Sequence, residues 1–595
     1  MSDDKKTKTA DKKIQPLSIA LKNVSYIVSS KKKKTEKVIL REINGRFSAG
    51  KVTAILGSSG AGKTTLLNIV AGKTEATGSV LINGQRFQAE KMKKISGFVS
   101  QEDILLETST VDELLRMSAV LRLPSSLSAP EVEETIDGVV GTLMLDKCRN
   151  TVVGEINSVG LSGGERKRAS IGMEMITNPP ILILDEPTSG LDTFTAYVVV
   201  KKLKEIAQQG RTVISTIHQP SSDTFHLFDE IVLMIDGSVV YWGPTSQVIS
   251  YFAGLGFVCP TYTNPADYFF MELLNGETEG VGEDAIREKR EKQREIISQW
   301  RTRAHSGAVE EEFTAVKYKE LKRTVSFLRQ YLFLQARSIK NVLRNKRLSM
   351  MKLFQAVFIG TLGGMIFAGG GKDGDGLSVG RVARGCIFFM STNQVYSPAG
   401  TTCTVFAVEK RIFEKEFHAG YYKVFPYYLS KVISELPVQI LTSATLSIIL
   451  HVAAPLRKDL VGFVGSTFFL CMLSMNSFMI GLVVSACFSD PLYSTATLPL
   501  VIFPLILTGG LFGKGGSVFS WLRYVSPYKY AVDSIMTLEI VGRKINGTDI
   551  TEIALEADYT FDNLLVNFFV LAGFIAALFL LGFAVLFATS TRKRV

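Results

Sequence analysis

The sequence predicts an α/β P-loop domain followed by an all-α domain of six membrane-spanning helices. Three observations carry that prediction. Charged residues number 89 in positions 1–347 but only 34 in positions 348–595. The second part holds six long stretches poor in charge, and a spanning helix needs roughly 20 mostly apolar residues. The first part alternates short β-branched apolar runs with helical stretches around one glycine-rich loop. That alternation is the pattern of a parallel sheet with crossover helices. The 595 residues are 46% hydrophobic and 21% charged, which excludes a disordered or collagen-like chain. Six cysteines exclude a disulfide-built scaffold. A net charge of +11 leaves nucleic acid or an anionic membrane surface as partner.

Position decides between those partners. Residues 1–37 hold eleven lysines against four acids and read as a basic flexible tail leading into the first strand. Residues 38–347 sum to zero charge, so the soluble body has no basic excess for nucleic acid. The rest of the excess lies near span ends, where it faces anionic headgroups. The N-terminus has no apolar h-region, so no cleaved signal is expected.

The strand-like runs are 51–57, 181–186 and 212–218. After the first comes Gly57-Ser58-Ser59-Gly60-Ala61-Gly62-Lys63-Thr64, with Thr65 opening a helical stretch. This matches G-x-x-x-x-G-K-[ST] between a strand and a helix. Its glycines let backbone N–H groups close around phosphate oxygens, and the helix N-terminus adds a positive end. Lys63 reaches the β and γ phosphates, and the Thr64 hydroxyl ligates Mg²⁺. The second run ends in Asp185-Glu186, two carboxylates delivered to the crevice at a strand's carboxyl end. Asp185 is the expected Mg²⁺ ligand and Glu186 the group that polarises water.

Between these lies Leu161-Ser162-Gly163-Gly164-Glu165. This segment, between a P-loop and an acid-terminated strand, resembles the signature of ABC-type ATPases. Gln101 is similar to that family's Q-loop, Ser189-Gly190-Leu191-Asp192 to its D-loop and His218 to its switch histidine. The resemblance implies ATP and Mg²⁺ as cofactors, with Gln101 reaching the metal and His218 sensing the γ phosphate. It also implies composite sites, each P-loop facing a partner's Ser162, Gly163, Gly164 and Glu165. One chain carries one of each, so it is expected to dimerise. Tyr26 either stacks on adenine or is an ordinary aromatic of its strand.

Domain order narrows the resemblance. One such domain precedes one membrane domain, and segments 384–396, 408–422 and 526–539 resemble subfamily G half-transporters of the White and multidrug type. The implied organisation is a nucleotide-binding domain at 38–275, a linker and connecting helix at 276–347, and a transmembrane domain at 348–595. Residues 276–320 read as a solvated linker becoming helical toward the membrane. Glu409–Tyr422 is the implied coupling-helix loop. Phe388, Phe389, Asn393 and Tyr396 fall where relatives line a drug cavity, or else pack against neighbouring helices.

The six spans are read at 348–368, about 382–408, 425–452, 460–488, 493–513 and 565–588. Residues 517–540 carry Arg523, Lys529, Asp533 and Glu539 and read as interfacial or re-entrant, or as an external loop. Basic residues before the first span and after the last put both termini in the cytosol. Asn546-Gly547-Thr548 then forms a glycosylation sequon in the last external loop. These features lead to a multi-pass protein of the plasma membrane or an internal membrane. It is expected to work as a homodimer or heterodimer exporting lipid-like, sterol or amphipathic compounds. An ATP-gated channel or regulator, and a soluble ABC ATPase, are the alternative readings.

Overall fold

The computed structural model describes residues 16–30, 35–86, 89–154, 159–274, 283–306, 325–369, 376–509, 521–545, 548–551 and 563–591. Two compact units divide at residue 325.

The first unit contains two sheets. One is antiparallel with order β2-β1-β4-β5, built from β1 (Ile19–Ser30), β2 (Thr35–Phe47), β4 (Thr77–Ile82) and β5 (Gln85–Arg86). The other has order β10-β9-β3-β8-β7-β6. Its members are β3 (Val52–Gly57), β6 (Ser96–Val99), β7 (Ile181–Leu184), β8 (Thr212–Thr216), β9 (Glu230–Ile235) and β10 (Ser238–Pro244). Five of these run parallel, and β10 returns antiparallel against β9. Every residue of β3, β7, β8 and β9 is buried, as expected for continuous apolar runs covered on both faces. The core joins the sheets through Leu40, Phe47, Ile55, Leu66, Ile183 and Val232. Parallel register places the carboxyl ends of β3, β6, β7 and β8 side by side. The crevice for chemistry in an open α/β sheet lies there.

The helix Val111–Arg122 starts with a reciprocal box between Thr110 and Glu113. It ends at Arg122, whose guanidinium meets Glu174 of the helix Gly163–Met175 at 3.0 Å in the interior. The segment read as a solvated linker contains a docked helix, Glu283–Ser306. Its Trp300 ring sits 5.7 Å from Tyr241 and 5.8 Å from Tyr251, and Ile296 is buried. Two apolar anchors one turn apart suffice to dock a surface helix that is otherwise mostly polar or charged.

The second unit is helical. Four helices are long and apolar enough to cross a membrane: Lys346–Ala368, Val424–Ala453, Leu460–Cys487 and Leu564–Thr591. They match the first, third, fourth and sixth expected spans. The second lies inside one 43-residue helix, Gly376–His418, whose polar residues lower its hydropathy. The residues read as a separate coupling helix begin as its last turns. The fifth is a 17-residue helix, Pro491–Leu507, shorter than a full span. Residues 510–513 of that stretch, and Asn546, lie outside the described residues.

The expectation for residues 517–540 is narrowed. Residues 527–539 form a helix buried in the bundle, which departs from an interfacial segment or an external loop and is compatible with the re-entrant reading. It packs on the helices Gly376–His418, Leu460–Cys487 and Leu564–Thr591. Its charges are tolerated because they have local partners. Lys529 lies 3.7 Å from Asp533, and the Glu539 carboxylate accepts hydrogen bonds from Ser466 (2.7 Å) and the Arg457 N–H (2.6 Å). Buried charges persist where they are paired and hydrogen-bonded.

Candidate functional site

The site begins where β3 ends. Gly57 closes the strand, the loop Ser58–Gly62 follows, and the helix Lys63–Val70 starts. Gly60 and Gly62 have φ of 80° and 94°, a left-handed backbone that residues with a Cβ adopt only with strain. No side chain caps this helix. The first N–H groups of a helix have no intrahelical partner, so here they are open to an external acceptor. Ser59, Gly60 and Thr64 are exposed, and the Lys63 side chain is buried. Its ammonium donates to the carbonyls of Gly57 (2.7 Å) and Ser58 (3.0 Å). Burial lowers the Lys63 pKa, while Glu186 and Asp185 nearby act the other way. These features fit a polyphosphate, with donors, a cation and no competing cap.

The parallel register of β7 with β8 brings the acids to the same place. The Asp185 carboxylate accepts from Thr64 Oγ1 at 3.2 Å and from Thr216 Oγ1 at 2.7 Å. A hydroxyl from the helix after β3 and a carboxylate from the end of β7, with β8 between the two strands, form the hard oxygen set that Mg²⁺ prefers. Glu186 sits at φ 44°, uncommon for a residue with a side chain. Its N–H donates to Thr216 Oγ1 at 2.8 Å, which fixes that backbone. The Gln101 amide, just past β6, donates to the Glu186 carboxylate at 2.8 Å. Lys63, Thr64, Asp185, Glu186 and Gln101 therefore converge. His218 follows β8 and lines one cleft with Glu186, Ser189 and Gly190.

The signature lies apart from this cluster. Ser162 caps the helix Gly163–Met175, accepting from the Glu165 N–H at 3.3 Å while Glu165 Oε2 accepts from the Ser162 N–H at 3.0 Å. Ser162 and Gly163 are exposed. Gly164 is buried, and a Cβ there would lie 2.2 Å from Thr195 Cγ2. Packing inside the domain thus favours glycine at this position. Thr195 donates its N–H to Asp192 at 2.9 Å. Hydrogen bonds from Thr195 hold the Asp192 carboxyl below its usual range. Tyr26 is half-buried on β1 against the core.

Sequence reasoning missed three groups. Thr216 bridges Asp185 and Glu186, and only the strand pairing shows it. Thr195 ties the D-loop to the signature. Lys167 is buried and bonded to the Q-loop backbone. In the second unit the proposed cavity residues diverge. Phe388 meets Tyr528 edge-on at 6.3 Å, Phe389 meets Phe367 at 5.8 Å and Tyr396 meets Phe503 at 5.8 Å. Asn393 shares a face of the long helix with Phe389 and Tyr396, one turn from each.

The comparisons with known proteins agree with this division. Residues 40–189 match a family model described as ABC transporter, and residues 329–540 match one described as ABC-2 type transporter. A second ABC-2 type transporter model matches residues 218–300. The chain is 35% identical to the mouse broad substrate specificity ATP-binding cassette transporter ABCG2 over 564 residues, 88% of this chain and 84% of that one. It is 34% identical to protein white of Drosophila melanogaster, covering 84% of this chain and 74% of that one. It is 32% identical to ABC transporter G family member 14 of Arabidopsis thaliana, covering 86% and 80%. Among solved structures, cbiO1 of Clostridium perfringens, part of the ABC transporter complex cbiONQ, matches 43% of this chain at 24% identity and a TM-score of 0.36. The order of an ATPase domain before an ABC-2 membrane domain is shared with relatives aligned over most of both lengths. The chain therefore belongs to the ABC transporters as a subfamily G half-transporter, a membrane ATPase whose hydrolysis is coupled to transport.

Proposed function

We propose that the chain is one half of a dimeric exporter that moves lipid-like, sterol or amphipathic compounds out of the cytosol. The observation that carries the ATPase mechanism is the convergence of Lys63, Thr64, Asp185, Glu186 and Gln101 past the carboxyl ends of β3, β7 and β6. Lys63 and the uncapped helix would hold the phosphates. Thr64, Asp185 and Gln101 would hold Mg²⁺, which supplies charge neutralisation on the transferred phosphoryl group when bound. Glu186 would orient and polarise the attacking water once Gln101 releases it. His218 would read the γ phosphate across the shared cleft.

Dimerisation is supported by what faces outward. Ser162, Gly163, Gly190 and Asp192 are exposed, and Phe194 beside them is 75% exposed. In the proposed head-to-tail pair these groups meet the partner's nucleotide. ATP binding favours the closed pair, and hydrolysis resets it. In the membrane half the reading is six spans with both termini cytosolic, Glu409–Tyr422 as the coupling segment and Phe388, Phe389, Asn393 and Tyr396 toward the cargo path. Tyr26 would stack on adenine, and Asn546 would face the outside.

The test is transport and substrate-stimulated ATPase in sealed vesicles across a panel of lipids and drugs. Glu186→Gln should lower turnover by about 10²–10⁴-fold, the usual contribution of a positioned base. It should also abolish sustained uptake. Unchanged uptake in that variant rejects the mechanism.

A further inference from the structure

Lys167 lies on the signature helix, only five residues after Ser162, or about 7.5 Å along the axis. Its side chain is 2% exposed. A buried ammonium is costly unless its partners are all provided. Here all of them come from one short segment. Lys167 Nζ donates to the carbonyl of Gln101 at 2.9 Å and to that of Ser100 at 3.4 Å, and it pairs with the Asp103 carboxylate at 2.9 Å. The neighbouring Arg166 points elsewhere, donating to the carbonyls of Val153 (3.1 Å) and Gly154 (2.9 Å). The signature helix thus grips the Q-loop through one side chain, and that loop's Gln101 holds Glu186.

We infer that Lys167 is a positioning residue that couples the two ATP sites of the dimer through the interior of each protomer. The inference rests on the head-to-tail reading above, in which Ser162 serves the partner's nucleotide and Gln101 serves its own. A shift of the signature helix on engaging the partner's ATP then moves the backbone of Ser100–Asp103 with it. Gln101 is drawn from or toward Glu186 in the same protomer. Occupancy at one site is reported to the other without any new contact across the interface. Energetically this is a coupling free energy, and it acts equally in both directions.

The experiment measures steady-state ATPase against ATP concentration for the full chain in lipid vesicles. The wild type should show a Hill coefficient above 1, bounded near about 2 by two sites. Lys167→Met combined with Asp103→Leu removes both buried charges, so neither is left unpaired. That variant should fall to a coefficient of about 1 while keeping kcat within roughly tenfold. Lys167→Arg keeps the buried cation and its donors and should stay cooperative. A non-cooperative wild type, or a double variant with wild-type cooperativity, overturns the inference.

Glu186→Gln separates the two levels. If it hydrolyses ATP at the wild-type rate, the site reading itself fails. If it is inactive and the double variant stays cooperative, only the coupling through Lys167 fails. Should the double variant not fold, hydrogen exchange on the wild type decides. Titration with a non-hydrolysable ATP analogue should protect segments 100–103 and 163–167 with one shared midpoint, and two separate midpoints overturn the inference.

Discussion

The two halves of the chain use apolar side chains in opposite ways. In the nucleotide-binding unit they are hidden, and β3, β7, β8 and β9 show no exposed residue. In the membrane unit many face outward, including Phe354, Phe358, Phe569, Leu580 and Leu581. The helix Leu460–Cys487 is the exception, with 72% of its most apolar window buried against 17% for Leu564–Thr591. One is the hub of the bundle, and the other presents its length to lipid. Charge follows the reverse rule. The soluble unit buries charges at its site, Lys63 and Asp185, besides structural pairs such as Arg122–Glu174. The membrane unit buries them as closed sets. Arg337 meets Glu416 at 2.8 Å, and Lys431 meets Glu409 at 2.8 Å and Glu435 at 3.2 Å.

That contrast can be broken at several points. The largest effect is expected at Arg337→Leu, which strands the buried Glu416 carboxylate, to which Tyr422 also donates. Removing one partner of a buried pair costs about 3–5 kcal/mol. Chemical unfolding in detergent should show that loss, with partial recovery when Glu416→Leu is added. A neutral single variant would mean that the pair is not what admits these charges.

Next comes Leu580→Lys. This side chain is 64% exposed in a helix that faces lipid, and a cation near a helix centre costs about 2.5–3.5 kcal/mol on insertion scales. Membrane insertion should fall accordingly. An unaffected variant would place Leu580 against water or a partner. The smallest effect is expected at Gly164→Ala, where the new Cβ meets Thr195 Cγ2. Overpacking of this kind costs about 1–3 kcal/mol, read by thermal unfolding. Thr195→Ser removes that methyl and should recover most of the loss.

The sequence and the structure agree best where function depends on local chain geometry. Gly57–Thr64, Asp185-Glu186 and Ser162–Glu165 are contiguous, so their residues could be named from spacing, and the structure places each at a strand end or helix start. Contacts made across the sheet were invisible. Thr216 holds Asp185 and Glu186 because β8 lies beside β7, and nothing in its own neighbourhood announces that. Lys167 reads as one more surface base in a run of three. The helix Pro527–Glu539 misled for the same reason. Its charges look like surface residues until His451, Ser466 and Arg457, distant in sequence, are seen around Glu539. Long apolar runs located four of the six expected spans as full-length apolar helices among the described residues, but polar Gly376–His418 concealed how far one helix continues.

That long helix also has a mechanical meaning. At 1.5 Å per residue its 43 residues make a rod of about 64 Å, twice the roughly 30 Å thickness of a bilayer's hydrocarbon core. As the second span it would project about half its length beyond the oily layer. Proline removes one backbone hydrogen bond and crowds the preceding turn, so Pro398 is the rod's compliant joint. A torque applied at the His418 end would be carried by the hydrogen-bonded turns up to that joint, where the helix yields most easily. Stiffness, rather than any contact at the far end, then sets how much of a push from one side of the membrane is felt on the other.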